Sequence, residues 1–331
     1  MSVRRMQLDS WLRTILGDDR FGLDLASSDA SFRRYWRVRT GDGSLIAMDA
    51  PPGKEDVHRF VDIAARLRSV GLNAPEVLAQ DPAQGFLLLT DLGERLYLNA
   101  LNAQSVDRLY ADALRALAVF QACGATEGLP VYDDALLRRE LELFREWLLK
   151  RHLGVILSPA EKRDLDLALD QLVANALEQP RVFVHRDYHS RNLLATSPPS
   201  PGILDFQDAV VGPVTYDLVS LLRDCYVAWP EERVRAWAQG YFELAVQSGI
   251  LRETDEAGFM RWFDLTGVQR HLKASGIFAR LNDRDGKSGY LKDIPRTLGY
   301  VVAVAPRYAE LHALAGLVRE RVLPALGSGQ P

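Results

Sequence analysis

Thiols are scarce in this chain. Cys123 and Cys225 are the only cysteines in 331 residues, far apart and without a partner at metal-site spacing. Buried thiols in a reducing compartment are therefore expected rather than a disulfide. Long apolar runs are missing too. No stretch of about 18 uninterrupted apolar residues occurs, so no membrane span is expected. The opening Met-Ser-Val-Arg-Arg-Met-Gln-Leu-Asp-Ser-Trp lacks the apolar core of a secretory signal, which makes the cytoplasm the expected location. Charge of one sign is in equally short supply. A net charge of −4 carries no polyanion-binding signature, so nucleic acid is not an expected partner. What is present is an ordinary globular composition, 47% apolar and 25% charged, at a length that suits two lobes sharing a cleft.

Chemistry-bearing residues concentrate in positions 182–208. The apolar runs Val182–Val184, Leu193–Ala195 and Ile203–Phe206 are too short for helices and predict buried strands. Ser197-Pro-Pro-Ser-Pro-Gly202 is dense in breakers and predicts a turn. A loop therefore opens off one strand and closes into a hairpin, with Asp187 and Asn192 on the loop and Asp205 ending the third run. Singly, Asp and Asn in loops are turn formers. In this order they are the parts a phosphoryl transferase needs: a carboxylate to orient the attacking hydroxyl, and oxygen ligands for Mg²⁺ beside ATP phosphates. Asp187 fits the base, and Asn192 and Asp205 fit the metal ligands.

His185-Arg-Asp-x-x-x-x-Asn192 followed by Asp205-Phe206 matches the catalytic loop and metal-binding motif of protein-kinase-like enzymes. With Leu204-Asp-Phe-Gln-Asp208 and Gly212-Pro-x-x-x-Asp-Leu218, the pattern resembles the aminoglycoside phosphotransferase and choline kinase group over roughly residues 20–320. Within that group, Met48-Asp-Ala-Pro-Pro52, His185-Arg-Asp-Tyr-His189 and Gly276-Ile-Phe-Ala-Arg-Leu281 look most like the anomeric amino-sugar kinases of bacterial cell-wall recycling. The resemblance implies an α+β, two-lobed protein-kinase-like fold with a small antiparallel-sheet N-lobe and a mostly helical C-lobe. It also implies ATP and Mg²⁺ as cofactors, and N-acetylmuramate or N-acetylglucosamine as phosphate acceptor at the anomeric hydroxyl.

Ahead of this stretch, residues 5–16 predict an amphipathic helix ended by Gly17. Leu23–Leu25, Tyr35–Val38 and Ser44–Met48 predict strands. By position, Ser27–Arg34 is the loop over the ATP phosphates. It has no Gly-x-Gly-x-x-Gly, but Ser28 and Ser31 are small enough to let phosphate approach, and Arg33 and Arg34 add charge. On the third strand, where a protein kinase carries Lys, stands Met48-Asp49. Either Lys54 or a loop arginine replaces that cation, or the cation is missing. Residues 55–70 predict a one-sided helix closed by Gly71, with Glu55 a weak candidate for an ion pair. Phe86–Thr90 predicts a buried strand. In this family the following Asp91-Leu-Gly93 is the hinge, so Thr90, Asp91 and Leu92 are expected at the adenine. The domain boundary is set there, giving residues 1–92 as nucleotide-binding lobe and 93–331 as catalytic and substrate lobe.

The remainder reads as helices: 134–152, a capping box at Ser158-Pro-Ala-Glu161 opening a helix to about 178, 216–226, 230–248, about 255–281 and 295–322. Asp217 is either the family's brace for the catalytic loop or an ordinary acid at a helix start. Asp208 is either a second metal contact or a turn residue. Gly286-Lys-Ser288 resembles a phosphate-loop ending, but Leu281 occupies the position of the required Gly. His185 and His189 have no third ligand at metal spacing. From residue 227 onward, 14 Lys and Arg stand against 12 Asp and Glu, a poor host for a polycationic aminoglycoside. Trp147, Trp229, Trp237 and Trp262 are core aromatics, a sugar platform or a choline cage. Arg191, Glu140, His271 and Lys273 are the candidate acceptor contacts. An aminoglycoside or choline kinase, and a nucleotide-binding pseudokinase, stand as alternatives.

Overall fold

The computed structural model describes residues 3–28 and 32–328. Its contacts divide the chain into two units, Met1–Asp112 with Asn192–Asp208, and Ala113–Arg191 with Ala209–Pro331. The first unit is a five-stranded antiparallel sheet in the order β1-β2-β3-β5-β4, formed by β1 Gly22–Ser28, β2 Arg34–Thr40, β3 Gly43–Asp49, β4 Val77–Asp81 and β5 Phe86–Thr90. Helix α1, Val3–Leu16, lays Leu8, Trp11 and Leu12 on Val38, Ala47, Phe86 and Leu88 of the sheet. Each such buried side chain contributes about 1.5–3 kcal/mol. That packing holds a 14-residue helix that is marginal in isolation.

Strand β4 has no counterpart in the expected elements. It is five residues long, alternates between half-buried and exposed positions, and pairs only with β5, so it lacks a continuous apolar run. Helix α2, Val57–Ser69, buries Val57, Phe60, Ile63, Ala64 and Leu67 as one stripe, and the Asp56 carboxylate caps it by accepting the His58 N–H at 2.9 Å. Gly71 follows at φ 82°, a conformation that Gly adopts without a Cβ penalty.

The hairpin behind the candidate catalytic loop is a two-residue ladder, Leu193–Leu194 against Gly202–Ile203. A ladder this short cannot bury its own apolar side chains. It is fixed instead by Ala195 N–H donating to the Arg95 carbonyl and Ile203 N–H to the Asn73 carbonyl, both at 2.8 Å. The Phe206 ring packs on Phe60 of α2 with centroids 4.8 Å apart.

The second unit is helical apart from Arg181–Val184 paired with Val210–Pro213. Helix Pro159–Glu178 starts at the expected Ser158–Glu161 capping box, and Glu256–Asp285 is the long central helix. A buried polar network joins them: Thr215 Oγ1 donates to Gln179 Oε1 at 2.8 Å and lies 3.0 Å from Thr266 Oγ1. Two expected helices differ. Residues 295–322 are not one helix: Ile294–Val304 gives way to short turns at Ala305–Arg307 and Ala309–Leu311 before helix resumes at His312. Pro306 explains the break, having no N–H and a ring that clashes with the preceding turn. Residues 134–152 are α-helical only to Leu143, and Phe144–His152 is wound as a π-helix.

The junction at Leu143 packs against Gly276 of the long helix. A Cβ on Gly276 would lie 2.3 Å from the Leu143 carbonyl carbon and 2.5 Å from Phe144 N, so only glycine permits the approach. Gly276→Ala is expected to lower the melting temperature in calorimetry, since overpacking of this kind costs about 1–3 kcal/mol. A Tm equal to wild type would show that the two segments have room to part.

Candidate active site

In the second unit, the loop after Val184 is held by one buried carboxylate. Asp217 accepts the His185 N–H at 2.6 Å and the Arg186 N–H at 2.9 Å, and is fully buried at the start of helix Tyr216–Leu222. Of the two readings open for Asp217, the brace is the observed one. Burial pushes its pKa up to about 7, with the two N–H donors pulling the other way. Arg186 has φ 78°, a costly conformation for a residue with a Cβ, and the Asp217 contact fixes its backbone there. His185 is structural: its Nδ1 accepts the Asp187 N–H at 3.2 Å. Further along, Asp224 accepts Ser190 N–H at 2.9 Å and Tyr226 N–H at 2.8 Å. Asp224 was not anticipated, because nothing in Arg-Asp-Cys marks it apart from its buried position.

Asp187 sits half-buried on this loop. Burial alone would raise its pKa, but Lys273, then His189, Arg186 and Arg270, outweigh it and hold the carboxyl below its ordinary value. The base candidate is therefore ionised at neutral pH. Lys273 and Arg186 are themselves set by Glu140. Glu140 is buried, lies 3.0 Å from Lys273 Nζ and accepts from Arg186 and from the Tyr132 hydroxyl. Lys273 Nζ also donates to Tyr216 Oη at 2.8 Å. Glu140 and Lys273, expected as acceptor contacts, are thus partners of one another. His271 is 1% exposed, stacks on Tyr300 and bonds the Arg223 carbonyl at 2.8 Å. Burial lowers its pKa to about 3, so it is a neutral core histidine. Arg191 alone of the four is exposed, its guanidinium over the Tyr226 and Tyr290 rings.

In the first unit, Asn192 and Asp205 meet: Asn192 Nδ2 is 3.4 Å from Asp205 Oδ2. Asp205 has φ 60°, past the end of the hairpin strand. Arg33 is 7% exposed and bridges two acids, with Nη2 3.2 Å from Asp205 Oδ1 and Nε 3.7 Å from Glu55 Oε2. The third strand has no cation because Asp49 is committed to α1, its carboxylate 2.6 Å from Arg4. Arg34 pairs with Asp49 in the β2–β3 register. Lys54 lies over the Phe32 ring at 4.1 Å. Ser28 ends β1, and Ser31 lies outside the described residues. Asp208 is an exposed turn residue, and Gly286 is the left-handed cap of the long helix at φ 67°.

At the hinge, the Asp91 carboxylate accepts from Arg37 at 2.7 Å, Ser44 at 2.8 Å and Gly93 N–H at 2.9 Å, and Thr90 Oγ1 accepts the Glu76 N–H. Both side chains hold the segment in place. The N–H and C=O of Leu92 between them make no hydrogen bond among the described residues. Such main-chain groups suit the edge of a planar heterocycle. The donor set of Asn192 and Asp205 is all oxygen, as Mg²⁺ requires, and Arg33 shows the Asp205 carboxylate already turned to a positive charge.

A family model described as the phosphotransferase enzyme family matches residues 23–256. An N-acetylmuramate/N-acetylglucosamine kinase of Pseudomonas aeruginosa is 49% identical over 326 residues, covering 96% of each chain. A protein of the same name from Neisseria meningitidis is 41% identical, again over 96% of each. Among solved structures, a choline kinase from Cryptosporidium parvum matches 96% of this chain and 100% of its own at a TM-score of 0.64 and 11% identity. An ADP-bound aminoglycoside phosphotransferase matches 89% and 97% at 0.61 and 15%. These two structures speak for the protein-kinase-like fold.

With Asp187 as candidate base, which works only when ionised, activity should fall as pH drops through its pKa. For wild type that fall is expected below about pH 4, the ordinary carboxylate value. Lys273→Met removes the foremost cation acting on Asp187, so the acidic limb of kcat should move to higher pH. A pH–rate profile superposing on wild type would remove Lys273 from this role.

Proposed function

The chain belongs to the phosphotransferase enzyme family, and from that premise we propose that it transfers the terminal phosphoryl group of ATP to the anomeric hydroxyl of N-acetylmuramate or N-acetylglucosamine. The observation that carries the acceptor is the 49% identity, over nearly the full length of both chains, to a protein named for those two sugars. The surplus of cations beyond residue 227 supports it, since a polycationic aminoglycoside would be repelled. Formation of such 1-phosphates belongs to cell-wall sugar recycling and draws on cytoplasmic ATP. Among the described residues no helix is long and apolar enough to cross a membrane.

The bond that forms joins the anomeric oxygen to the γ-phosphorus, and the bond that breaks joins that phosphorus to the β–γ bridging oxygen, releasing ADP. Asp187 orients the hydroxyl and accepts its proton. Asn192 and Asp205 hold Mg²⁺, which when bound neutralises phosphate charge. Arg33 supplies the cation that protein kinases place on the third strand, with Glu55 as its acidic partner. Arg34 and the end of β1 at Ser28 lie at the phosphates, and the main chain at Thr90–Leu92 takes the adenine. Residues 1–92 form the nucleotide-binding lobe in this reading.

Asp187→Asn should lower kcat by about 10²–10⁴-fold, the usual worth of a positioned base, while ATP affinity by calorimetry stays near wild type. Turnover close to wild type would refute the assignment. Asp205→Asn should instead weaken ATP binding in the presence of Mg²⁺ and leave binding in EDTA little changed. A coupled assay over N-acetylmuramate, N-acetylglucosamine, aminoglycosides and choline decides the acceptor. Turnover confined to the last two, or to none, would overturn the reading.

A further inference from the structure

Two arginines flank the base on the catalytic loop, and their surroundings are opposite. Arg186 is committed to the buried Glu140 carboxylate. Arg191, four residues past Asp187, is exposed and hydrogen-bonded to Tyr226, with Asp293 the acid acting on its charge and no carboxylate within ion-pair distance among the described residues. Its guanidinium carbon stands 4.6 Å from the Tyr226 ring centroid and 5.3 Å from that of Tyr290. Stacking of this kind holds a guanidinium while leaving its edge donors available.

The tyrosines are fixed as well. Phe278 of the long helix packs on both, 6.1 Å from Tyr226 and 5.6 Å from Tyr290. Asp224 ties the Tyr226 segment back to the loop through the N–H groups of Ser190 and Tyr226. His189, two residues past Asp187, meets Tyr226 edge to face at 5.4 Å. The base and the stacked guanidinium are therefore positioned by one set of contacts. A preorganised cation with no carboxylate in direct contact is an anion receptor whose ordering cost is largely met.

We propose that Arg191, held on Tyr226 and Tyr290, is the specificity-determining residue that binds a carboxylate on the acceptor sugar. This rests on the amino-sugar kinase reading. Of the two sugars, only the muramate bears a carboxylate, on its lactyl ether, and the glucosamine has a plain hydroxyl there. The planar fork of arginine pairs with a carboxylate through two parallel hydrogen bonds, which lysine cannot reproduce. Arg191 therefore sets the preference between the two acceptors rather than the rate of transfer.

The test compares wild type, Arg191→Met and Arg191→Lys in steady-state kinetics with both sugars and with ATP. The ratio of kcat/KM for N-acetylmuramate over N-acetylglucosamine should fall by roughly 10- to 100-fold in Arg191→Met, the worth of hydrogen bonds to a charged group. The loss should appear in KM for the muramate, with Arg191→Lys intermediate. An unchanged ratio overturns the assignment, as does a rise in KM for ATP with equal losses on both sugars. If wild type phosphorylates neither sugar, the functional reading fails instead, and the two failures are distinct.

Discussion

The catalytic loop depends on a carboxylate that touches no substrate. Asp217 takes two consecutive main-chain N–H groups in a site with no water-facing surface. Desolvating an acid there is costly, and the cost shows in its raised pKa. In return, Arg186 is held at positive φ, a state an unsupported loop would leave. Fixing that residue decides where its guanidinium goes, which is to Glu140. The Glu140–Lys273–Arg186 group then decides the charge on Asp187. One brace thus connects backbone geometry to the protonation of Asp187.

The first unit solves a different electrostatic problem. Asp205 has a cation beside it that the third strand does not supply, since that strand offers Asp49, already paired with Arg4 of the leading helix. The cation comes instead from Arg33, one residue before β2, balanced by Glu55 just ahead of α2. Arginine suits this place because its fork reaches two carboxylates at once. The same acids hold it in position when no phosphate is near. The hinge follows a similar rule, with Asp91 and Thr90 spent on structure and Leu92 leaving its main chain available.

Local signals were read well where the cause is local. The Ser158 capping box, the stop at Gly71 and the amphipathic stripe of α2 each rest on neighbours within one helical turn. The spacing of Asp187, Asn192 and Asp205 was legible because a loop and hairpin impose it. The break at Pro306 was also local, and the apolar periodicity of 295–322 obscured it. Strand β4 was not legible, because alternation over five residues beside a proline is a weak pattern. Glu140 and Lys273 are expected at the acceptor as polar residues in segments facing the cleft. That each neutralises the other depends on the 132 residues between them closing on themselves, which no window of sequence contains.

By itself the sequence determined the order of chemical parts: a carboxylate, an amide and a second carboxylate strung along one loop and hairpin, following a sheet-forming region and preceding long helices. Those are properties of spacing and residue type, and they survive without coordinates. Only the tertiary structure decided which charges are paired and which are left for a ligand. Arg33, Arg186 and Arg191 look alike in the sequence. The first bridges two acids, the second is tied to a buried glutamate, and the third lies on two tyrosines with no carboxylate in contact. Ion pairing is a matter of distance in space, and residues far apart in the chain set that distance.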